Sequence, residues 1–204
     1  MNYYLDFDYT LFNTYEFRNE LYKILENNKC NRDALKLTKE NGTYKFINIR
    51  EKFKELSKKN NIPIDNFIKP LEKLYDECEK YIYEDVIEFL KYLKQQEHKI
   101  YILTWGEEEY QKEKVKASKI EKYVDEVIYT EKLKYNLDIK YKEGIFIDDS
   151  IRDLKGLYSK KAKAVFRIKR INGKNSQKKL NIEEIKEFNS LYEIKEYLSK
   201  TIVN

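Results

Sequence analysis

The amino-acid sequence predicts an α/β protein, in which a parallel β-sheet carries helices on both faces and a small all-helical segment interrupts the chain. The first observation is the aromatic and apolar run Tyr3-Tyr4-Leu5, which is typical of a buried strand. The second is that short β-branched runs alternate with amphipathic helical patterns from residue 81 onward. The third is that residues 14–80 carry helical patterns only. Strands that alternate with helices of this length form parallel sheets covered on both faces.

Length and composition indicate one large domain, or one domain with a modest insertion. The 204 residues are 41% hydrophobic and 15% aromatic, which is enough apolar material for a core. No apolar run approaches the ~20 residues of a membrane span, and the opening residues show no basic-then-apolar leader. Cys30 and Cys78 lie far apart and form no paired motif, which suits a reducing compartment. We therefore expect a cytoplasmic protein without a membrane partner, either a monomer or a dimer.

Residues 14–80 are predicted to form four helices directly behind the first strand. Their apolar residues recur at helical spacing, and polar or helix-breaking residues separate them. The first helix covers 16–28, and a short second one covers 32–39, with Asn31 as its cap and Asn41-Gly42 as its stop. The third runs from Phe46 to 56, and the fourth follows Pro63.

From residue 81 the predicted elements alternate between helix and strand. The first helix of this part begins at Asp85, where Glu88 three residues on resembles a capping box. The predicted strands cover 99–104, 126–129, 144–147 and 164–168. The predicted helices cover 85–93, 107–118, 132–141, 151–158 and 190–199.

Two acidic residues, Asp6 and Asp8, come directly after the first strand. Residues two apart in a strand point to the same face, so both side chains are expected just past its carboxyl end. Ligands of open α/β sheets bind at that edge. Two adjacent acids repel each other unless they share a proton or bind a cation. An acidic pair at a strand end is also common in solvated turns, so the pair alone leaves both interpretations open.

Two later strands also end in polar side chains. Thr104, Trp105 and Gly106 follow the apolar run that ends at Leu103, and a hydroxyl beside free helix-start amides suits a phosphate. Asp148 and Asp149 follow Ile145-Phe146-Ile147, with Asp153 four residues after Asp149, and adjacent carboxylates favour a hard divalent cation. Taken singly, each feature also fits a helix cap. Taken together with Asp6 and Asp8, they predict a divalent-cation phosphate site at one edge of the sheet.

The same residues resemble the motifs of the haloacid dehalogenase-like (HAD) superfamily. The run DFDYT is similar to its hhhDxDxT motif, ILTWG to its strand that ends in Thr or Ser, and FIDDSIRD to its acidic motif, with Asp148 where Gly is usual. For the lone lysine of the family, Lys132 fits best, with Lys134 and Lys140 as alternatives. The resemblance implies a Rossmann-like core at 1–13 and 81–204, with 14–80 as an inserted helical cap.

The resemblance also implies a role for each matched residue. Asp6 would be the nucleophile and Asp8 the general acid and base. Mg²⁺ would be held by Asp6, the main-chain carbonyl of Asp8 and Asp149. Asp148 is a plausible outer metal ligand, and Asp153 would orient the lysine or a metal-bound water. The substrate-binding residues would be Thr104, Trp105 and Lys132.

The predicted function is a Mg²⁺-dependent phosphomonoester hydrolase that acts on a small phosphorylated metabolite through an aspartyl-phosphate intermediate. One alternative is a phosphatase of nucleotide or nucleic-acid ends. Ten of the 41 basic residues fall between 155 and 179, which leaves 31 basic against 36 acidic residues elsewhere. Lysines that protect an edge strand from pairing would give the same pattern. A non-enzymatic phosphate- or nucleic-acid-binding module and a phosphotransferase are further alternatives. With a single histidine, His98, a zinc site or a histidine-based triad is not expected.

Overall fold

The computed structural model describes residues 1–36, 38–40, 43–45 and 48–202 of the chain. The strands in this part of the chain, numbered in order, are β1 (Asn2–Leu5), β2 (Thr38–Glu40), β3 (Thr43–Lys45), β4 (Lys99–Trp105), β5 (Glu126–Thr130), β6 (Gly144–Asp148), β7 (Ala164–Ile168) and β8 (Lys186–Phe188). The α-helices are α1 (Thr14–Asn27), α2 (Ile49–Asn60), α3 (Asp65–Asp76), α4 (Val86–Gln95), α5 (Glu108–Ala117), α6 (Ile151–Ser159) and α7 (Leu191–Ile202).

The main sheet has six parallel strands in the order β5-β4-β1-β6-β7-β8. The first strand of the chain lies in the middle, and its last residue, Leu5, pairs with Ile102 on β4 and with Ile147 on β6. The chain leaves β1 toward β4 and leaves β6 in the opposite direction, toward β7. The strand order therefore reverses between β1 and β6, and this point of an open α/β sheet forms a crevice for ligands. The predicted α/β fold is confirmed.

Helices cover both faces of this sheet because consecutive strand residues point to opposite sides. Tyr3 and Leu5 of β1 belong to the larger hydrophobic cluster, which includes the apolar faces of α4 and α7. Tyr4 points the other way and stacks on Phe146 with ring centroids 4.7 Å apart, in the cluster that includes α6. The alternation of side chains along one short strand thus builds both layers of the core.

The segment from α1 to α3 is mostly helical, as the sequence predicts, but it also contains strands. β2 and β3 pair antiparallel as a separate two-stranded sheet. Of the predicted second helix, one 3₁₀ turn forms at Arg32–Leu35, with the Asn31 side chain accepting from the Asp33 N–H as its cap. The predicted stop at Asn41-Gly42 and the predicted start at Phe46 lie outside the described residues.

Pro70 lies inside α3 and removes one backbone hydrogen bond of that helix. The carbonyl left without its helical donor belongs to Asn66, four residues earlier. The buried side chain of Asn28 donates to this carbonyl at 3.2 Å, and to the Ile24 carbonyl at 2.8 Å. Asn28, at the end of α1, therefore supplies the hydrogen bond that Pro70 removes from α3, and it links the two helices.

Two predictions about elements in the second part of the chain are wrong. The segment 132–141 is not an α-helix, because 3₁₀ turns form at Lys134–Asn136 and Tyr141–Glu143 and the Tyr141 hydroxyl donates to the carbonyls of Lys134 and Leu137. Asp85 precedes α4 but does not cap it through its side chain, because Arg170 and the N–H of Leu191, the first residue of α7, occupy its carboxylate. The polar residues 174–179 form turns, and the strand that follows β7 is β8, a short polar strand without an apolar signal in the sequence.

In the described part of the chain, we find no α-helix with the length and apolar character that a bilayer crossing requires.

Candidate active site

Three buried carboxylates meet where the strand order reverses. Asp6 follows β1, and Asp148 and Asp149 lie at the end of β6, the strand that pairs with β1. One carboxylate oxygen from each residue lies within 4.8 Å of the other two. The neighbouring strands place the acids at one edge, as the sequence predicts, because parallel strands end together.

The charge of this cluster favours a cation. Burial, together with the neighbouring acids Asp148 and Asp149, raises the pKa of Asp6 well above its usual range. Burial and the charge of Asp148 likewise raise the pKa of Asp149 to about 7. Three buried carboxylates cannot all be ionised cheaply without a positive charge between them. Oxygen ligands at this spacing fit Mg²⁺, and the residues that would hold it are Asp6, Asp148 and Asp149.

Lys134 supplies one positive charge to the same cluster. Its Nζ lies 2.5 Å from Oδ1 of Asp6 and 2.7 Å from Oδ2 of Asp148, and the side chain is buried. Of the three lysines considered from the sequence, Lys134 is thus the one that the structure places in the cluster: Lys132 is exposed, and Lys140 is exposed and pairs with Glu143. The helix expected at 132–141 is replaced by turns, so helical spacing could not select the right lysine.

Asp8 lies beside the cluster and is held by three hydrogen-bond donors. Its Oδ1 accepts from the Thr14 hydroxyl and from Nζ of Lys114, each at 2.5 Å, and its Oδ2 accepts from Nε2 of Gln111 at 2.8 Å. Burial acts to raise the pKa of Asp8, but the Lys114 ammonium and these hydrogen bonds outweigh it and lower the pKa. Asp8 is therefore ionised at neutral pH in this arrangement.

Thr104 and Trp105, at the end of β4, differ in their surroundings. Thr104 is fully buried, and its hydroxyl has no hydrogen-bond partner within the described residues. A buried hydroxyl without a partner is costly, so a ligand oxygen would stabilise it. Trp105 lines the cavity described below, its indole N–H donates to the Glu131 carbonyl at 3.1 Å, and the Arg152 guanidinium lies 4.7 Å from its ring centroid.

Asp153 lies next to the acidic cluster without joining it. It is buried in the first turn of α6, and its Oδ2 accepts from Nη2 of Arg152 at 2.8 Å. Its charge also acts on Lys134 and helps to keep that lysine protonated. This position suits a residue that orients the lysine.

A cavity of about 830 Å³ opens above these residues. Besides the acidic cluster, several parts of the chain line its walls, among them α5 with Tyr110, Gln111 and Lys114. Residues of the helical segment 14–80 form one part: Thr14, Arg18, Leu21, Tyr22, Leu35 and Ile49. The basic segment, residues 155–179, forms another: Lys155, Lys174, Asn175, Lys178 and Lys179. Acidic and basic side chains therefore line the same cavity.

Some residues of the basic segment are buried and hold its turns in place, and others line the cavity. Arg167 is fully buried, pairs with Glu187 at 2.9 Å and donates to the carbonyls of Asn175 and Lys178. This arginine holds the 174–179 turns over the site, where the Asn175 side chain donates to Oδ2 of Asp149 at 3.2 Å. Sequence patterns did not reveal Asn175, because an isolated amide in a polar run carries no motif.

Sequence patterns also did not reveal two of the hydrogen-bond donors to Asp8 or one arginine that lines the cavity. Gln111, Lys114 and Arg18 lie on amphipathic helices, where single polar residues carry no motif. One signal was available for Lys114, because it falls at a buried position of α5, and a buried lysine needs a partner.

Residues 3–167 match the family model of the haloacid dehalogenase-like hydrolases. No curated protein sequence is significantly similar to the chain.

Solved structures share the fold at low identity. A HAD phosphatase from Thermococcus onnurineus is 20% identical, with 97% of each chain covered and a TM-score of 0.58. A predicted phosphoglycolate phosphatase from Haemophilus somnus is 15% identical over 96% of each chain, with a TM-score of 0.59. YfnB from Bacillus subtilis, solved bound to magnesium, is 14% identical over 97% of each chain, with a TM-score of 0.57.

Proposed function

Because the chain belongs to the haloacid dehalogenase-like hydrolases, we propose that it is a Mg²⁺-dependent phosphomonoester hydrolase acting on a small phosphorylated metabolite. The observation that supports this most directly is the buried cluster of Asp6, Asp148 and Asp149 with Lys134 at 2.5 Å from Asp6. The cluster joins a carboxylate nucleophile, oxygen ligands for a cation and a fixed positive charge at the ligand edge of the sheet.

In the proposed reaction, Asp6 attacks phosphorus and the substrate oxygen leaves. The new bond joins a carboxylate oxygen of Asp6 to phosphorus, which gives an aspartyl phosphate, and water then attacks this intermediate to release inorganic phosphate. Bound Mg²⁺ would neutralise phosphoryl charge and align the nucleophile. Lys134 binds a phosphoryl oxygen and favours the ionised form of Asp6, and the Thr104 hydroxyl donates to another phosphoryl oxygen.

Asp8 is proposed to move the protons of both steps. Its low pKa suits the second step, in which a carboxylate takes a proton from the attacking water. The first step needs a proton on Asp8 for the leaving oxygen. We therefore expect the contact between Asp8 and Lys114 to loosen when substrate fills the cavity.

Residues 14–80 are proposed to act as a cap on the core formed by 1–13 and 81–204. This assignment is supported by Arg18, Leu35 and Ile49, which reach the cavity from that segment. The cap would exclude water and contact the leaving group of the substrate. The cytoplasm remains the proposed location, supported by Cys30 and Cys78, which are both free thiols.

The test is the release of inorganic phosphate from a panel of phosphorylated metabolites, with Mg²⁺ and with a chelator. We expect release only with Mg²⁺, and none from Asp6→Asn, because an amide does not attack phosphorus. Asp76→Asn, an exposed acid on α3, is the matched control and should keep wild-type activity. No phosphate release by the wild type from any substrate would contradict the proposal and favour a binding module.

A further inference from the structure

Among the residues that the structure describes, Arg18 has no carboxylate partner, which distinguishes it from the other arginines. The sequence has six arginines. In the described part of the chain, five of them pair with acids: Arg32 with Glu26, Arg50 with Glu113, Arg152 with Asp153, Arg167 with Glu187 and Arg170 with Asp85. Arg18 instead hydrogen-bonds to the Tyr22 hydroxyl at 2.8 Å, and its side chain is half-buried.

Three tyrosines surround Arg18. Tyr9, Tyr22 and Tyr110 lie near the guanidinium. Burial raises the pKa of Tyr9, and burial together with the charge of Asp8 raises the pKa of Tyr110, so these two phenols keep their protons at neutral pH. Neither of these two tyrosines therefore supplies a negative charge to balance Arg18.

The acids that line the same cavity are already engaged by other donors. Asp6 and Asp148 contact Lys134, Asp8 contacts Lys114, Asp149 contacts Asn175, Asp153 contacts Arg152, and Glu107 accepts from the Tyr110 N–H. A guanidinium that is partly removed from water without a counterion is unfavourable. Its planar fork of donors matches a phosphate or a carboxylate.

The backbone at Tyr9 indicates that the side chains around Arg18 have a functional role. Tyr9 lies in the loop with Asp6 and Asp8, and its φ is 62°, in the left-handed region that glycine adopts most easily. Strained backbone of this kind is concentrated at functional sites. The structure has a tyrosine at this position, and its side chain lies beside Arg18 and lines the cavity.

We propose that Arg18 binds a second anionic group on the substrate, so that the enzyme prefers phosphomonoesters whose leaving group carries a further phosphate or carboxylate. The phosphoryl group that is transferred lies at Asp6 and Lys134, and the second anion lies at Arg18 in the same cavity. Tyr9 is a positioning residue that holds the guanidinium. Exposed Lys174, Lys178 and Lys179 attract anions to the entrance but form no ion pairs within the described residues. This inference rests on the proposed function.

The experiment compares substrates that differ only in the second anion. The pairs are fructose 1,6-bisphosphate with fructose 6-phosphate, adenosine 3′,5′-bisphosphate with adenosine 5′-monophosphate, and 3-phosphoglycerate with glycerol 3-phosphate. For each pair we measure the ratio of kcat/KM with Mg²⁺. The ratio of Kd is measured by calorimetry in the Asp6→Asn background, in which turnover is removed. Using ratios cancels any general loss of activity or folding in a variant.

For at least one pair, the wild-type ratio should favour the doubly anionic member by about ten-fold or more, as expected for a hydrogen-bonded charge pair. Arg18→Gln should bring this ratio close to one, Arg18→Lys should restore part of it, and Tyr9→Phe should lower it. The matched control is Arg32→Gln, because Arg32 also lies over the Tyr22 ring but pairs with Glu26 outside the cavity. That variant should keep the wild-type ratio.

The possible failures are distinguishable. Phosphate release with ratios that Arg18→Gln leaves unchanged would overturn the role of Arg18 and leave the proposed function intact. Wild-type ratios near one for all pairs would overturn the substrate class. An Arg18-dependent Kd ratio without any phosphate release would support the anion site and contradict the hydrolase. An Arg18-dependent preference found only with a 5′-phosphorylated oligonucleotide would overturn the assignment to small molecules.

Discussion

At the scale of single residues, the position of Lys134 determines what the acidic cluster can do. The lysine is buried and contacts both Asp6 and Asp148, so its charge opposes the burial that raises the pKa of these two carboxylates. A protonated Asp6 could not attack phosphorus. In the proposed reaction, the lysine therefore favours the form of Asp6 that can act as the nucleophile.

Replacing Lys134 with alanine should lower kcat by about 10²–10³-fold, the usual cost of losing one donor to a charged transition state. Lys132→Ala is the matched control, since Lys132 lies two residues away and is exposed. We expect it to keep near-wild-type kcat, with both variants measured under saturating Mg²⁺. The reverse result, an inactive Lys132→Ala beside an active Lys134→Ala, would contradict the assignment.

The affinity for Mg²⁺ should depend on pH near neutrality. The metal binds carboxylates in their ionised form, and the pKa of Asp149 is raised to about 7 in the metal-free protein. Mg²⁺ binding should therefore weaken by about ten-fold as the pH falls from about 8 to about 6, with release of a proton on binding. Calorimetry in buffers of different ionisation enthalpy measures both quantities. An affinity that stays constant over this range would be inconsistent with the cluster as the metal site.

The residues of the candidate site divide into those that motifs reveal and those that they do not. Asp6, Asp8 and Asp149 stand at strand ends, where a short apolar run marks the strand and the acid marks its end. Arg18 lies on α1, only ten residues after Asp8, and Lys114 reaches the site from α5, 106 residues after Asp8. Only the packing of these helices brings both side chains to the cavity, so single-sequence patterns could not select them.

At the scale of secondary-structure elements, Arg170 joins four parts of the core. Its guanidinium donates to both carboxylate oxygens of Asp85, at the start of α4, and to the Thr10 carbonyl in the loop after β1. Asp85 also accepts from the Leu191 N–H at the start of α7. The pair is buried, so it fixes the loop after β1, two helices and the segment after β7 relative to one another.

Arg170→Met should lower the free energy of unfolding by about 3–5 kcal/mol, because it leaves the charge of Asp85 buried without a partner. Lys195→Met is a matched control: Lys195 pairs with Glu88 across the same two helices, but this pair is largely exposed and should contribute less than about 1 kcal/mol. Urea unfolding monitored by circular dichroism gives both values. Equal losses in the two variants would show that the buried pair has no special role.

The elements that the sequence predicts well are those with a continuous apolar signal. Strands β1, β4, β6 and β7 are short apolar runs, and their predicted positions agree with the structure to within about one or two residues. β8 is polar and mostly exposed at the edge of the sheet, so it has no such signal. The segment 132–141 has apolar residues at helical spacing, but the hydrogen bonds of Tyr141 and the packing of Tyr135 against Gly156 of α6 favour turns instead.

At the scale of the whole molecule, the acidic residues of the candidate site lie at one edge of the sheet. The central position of β1 places Asp6 beside β6, and the reversal of strand order opens the crevice there. The helical segment and the basic turns then enclose this crevice from two sides. The predicted α/β architecture was accessible from alternation alone, whereas the shape and charge of the cavity depend on contacts between distant parts of the chain.

The central claim is that Asp6 becomes phosphorylated during turnover. The most direct measurement mixes the enzyme with Mg²⁺ and a radiolabelled phosphomonoester found in the phosphate-release screen, stops the reaction with acid within one turnover, and follows the label on the protein. We predict label on the wild type that neutral hydroxylamine removes, as expected for an acyl phosphate, and none on Asp6→Asn. Turnover without labelled protein, or equal labelling of Asp6→Asn, would contradict the account.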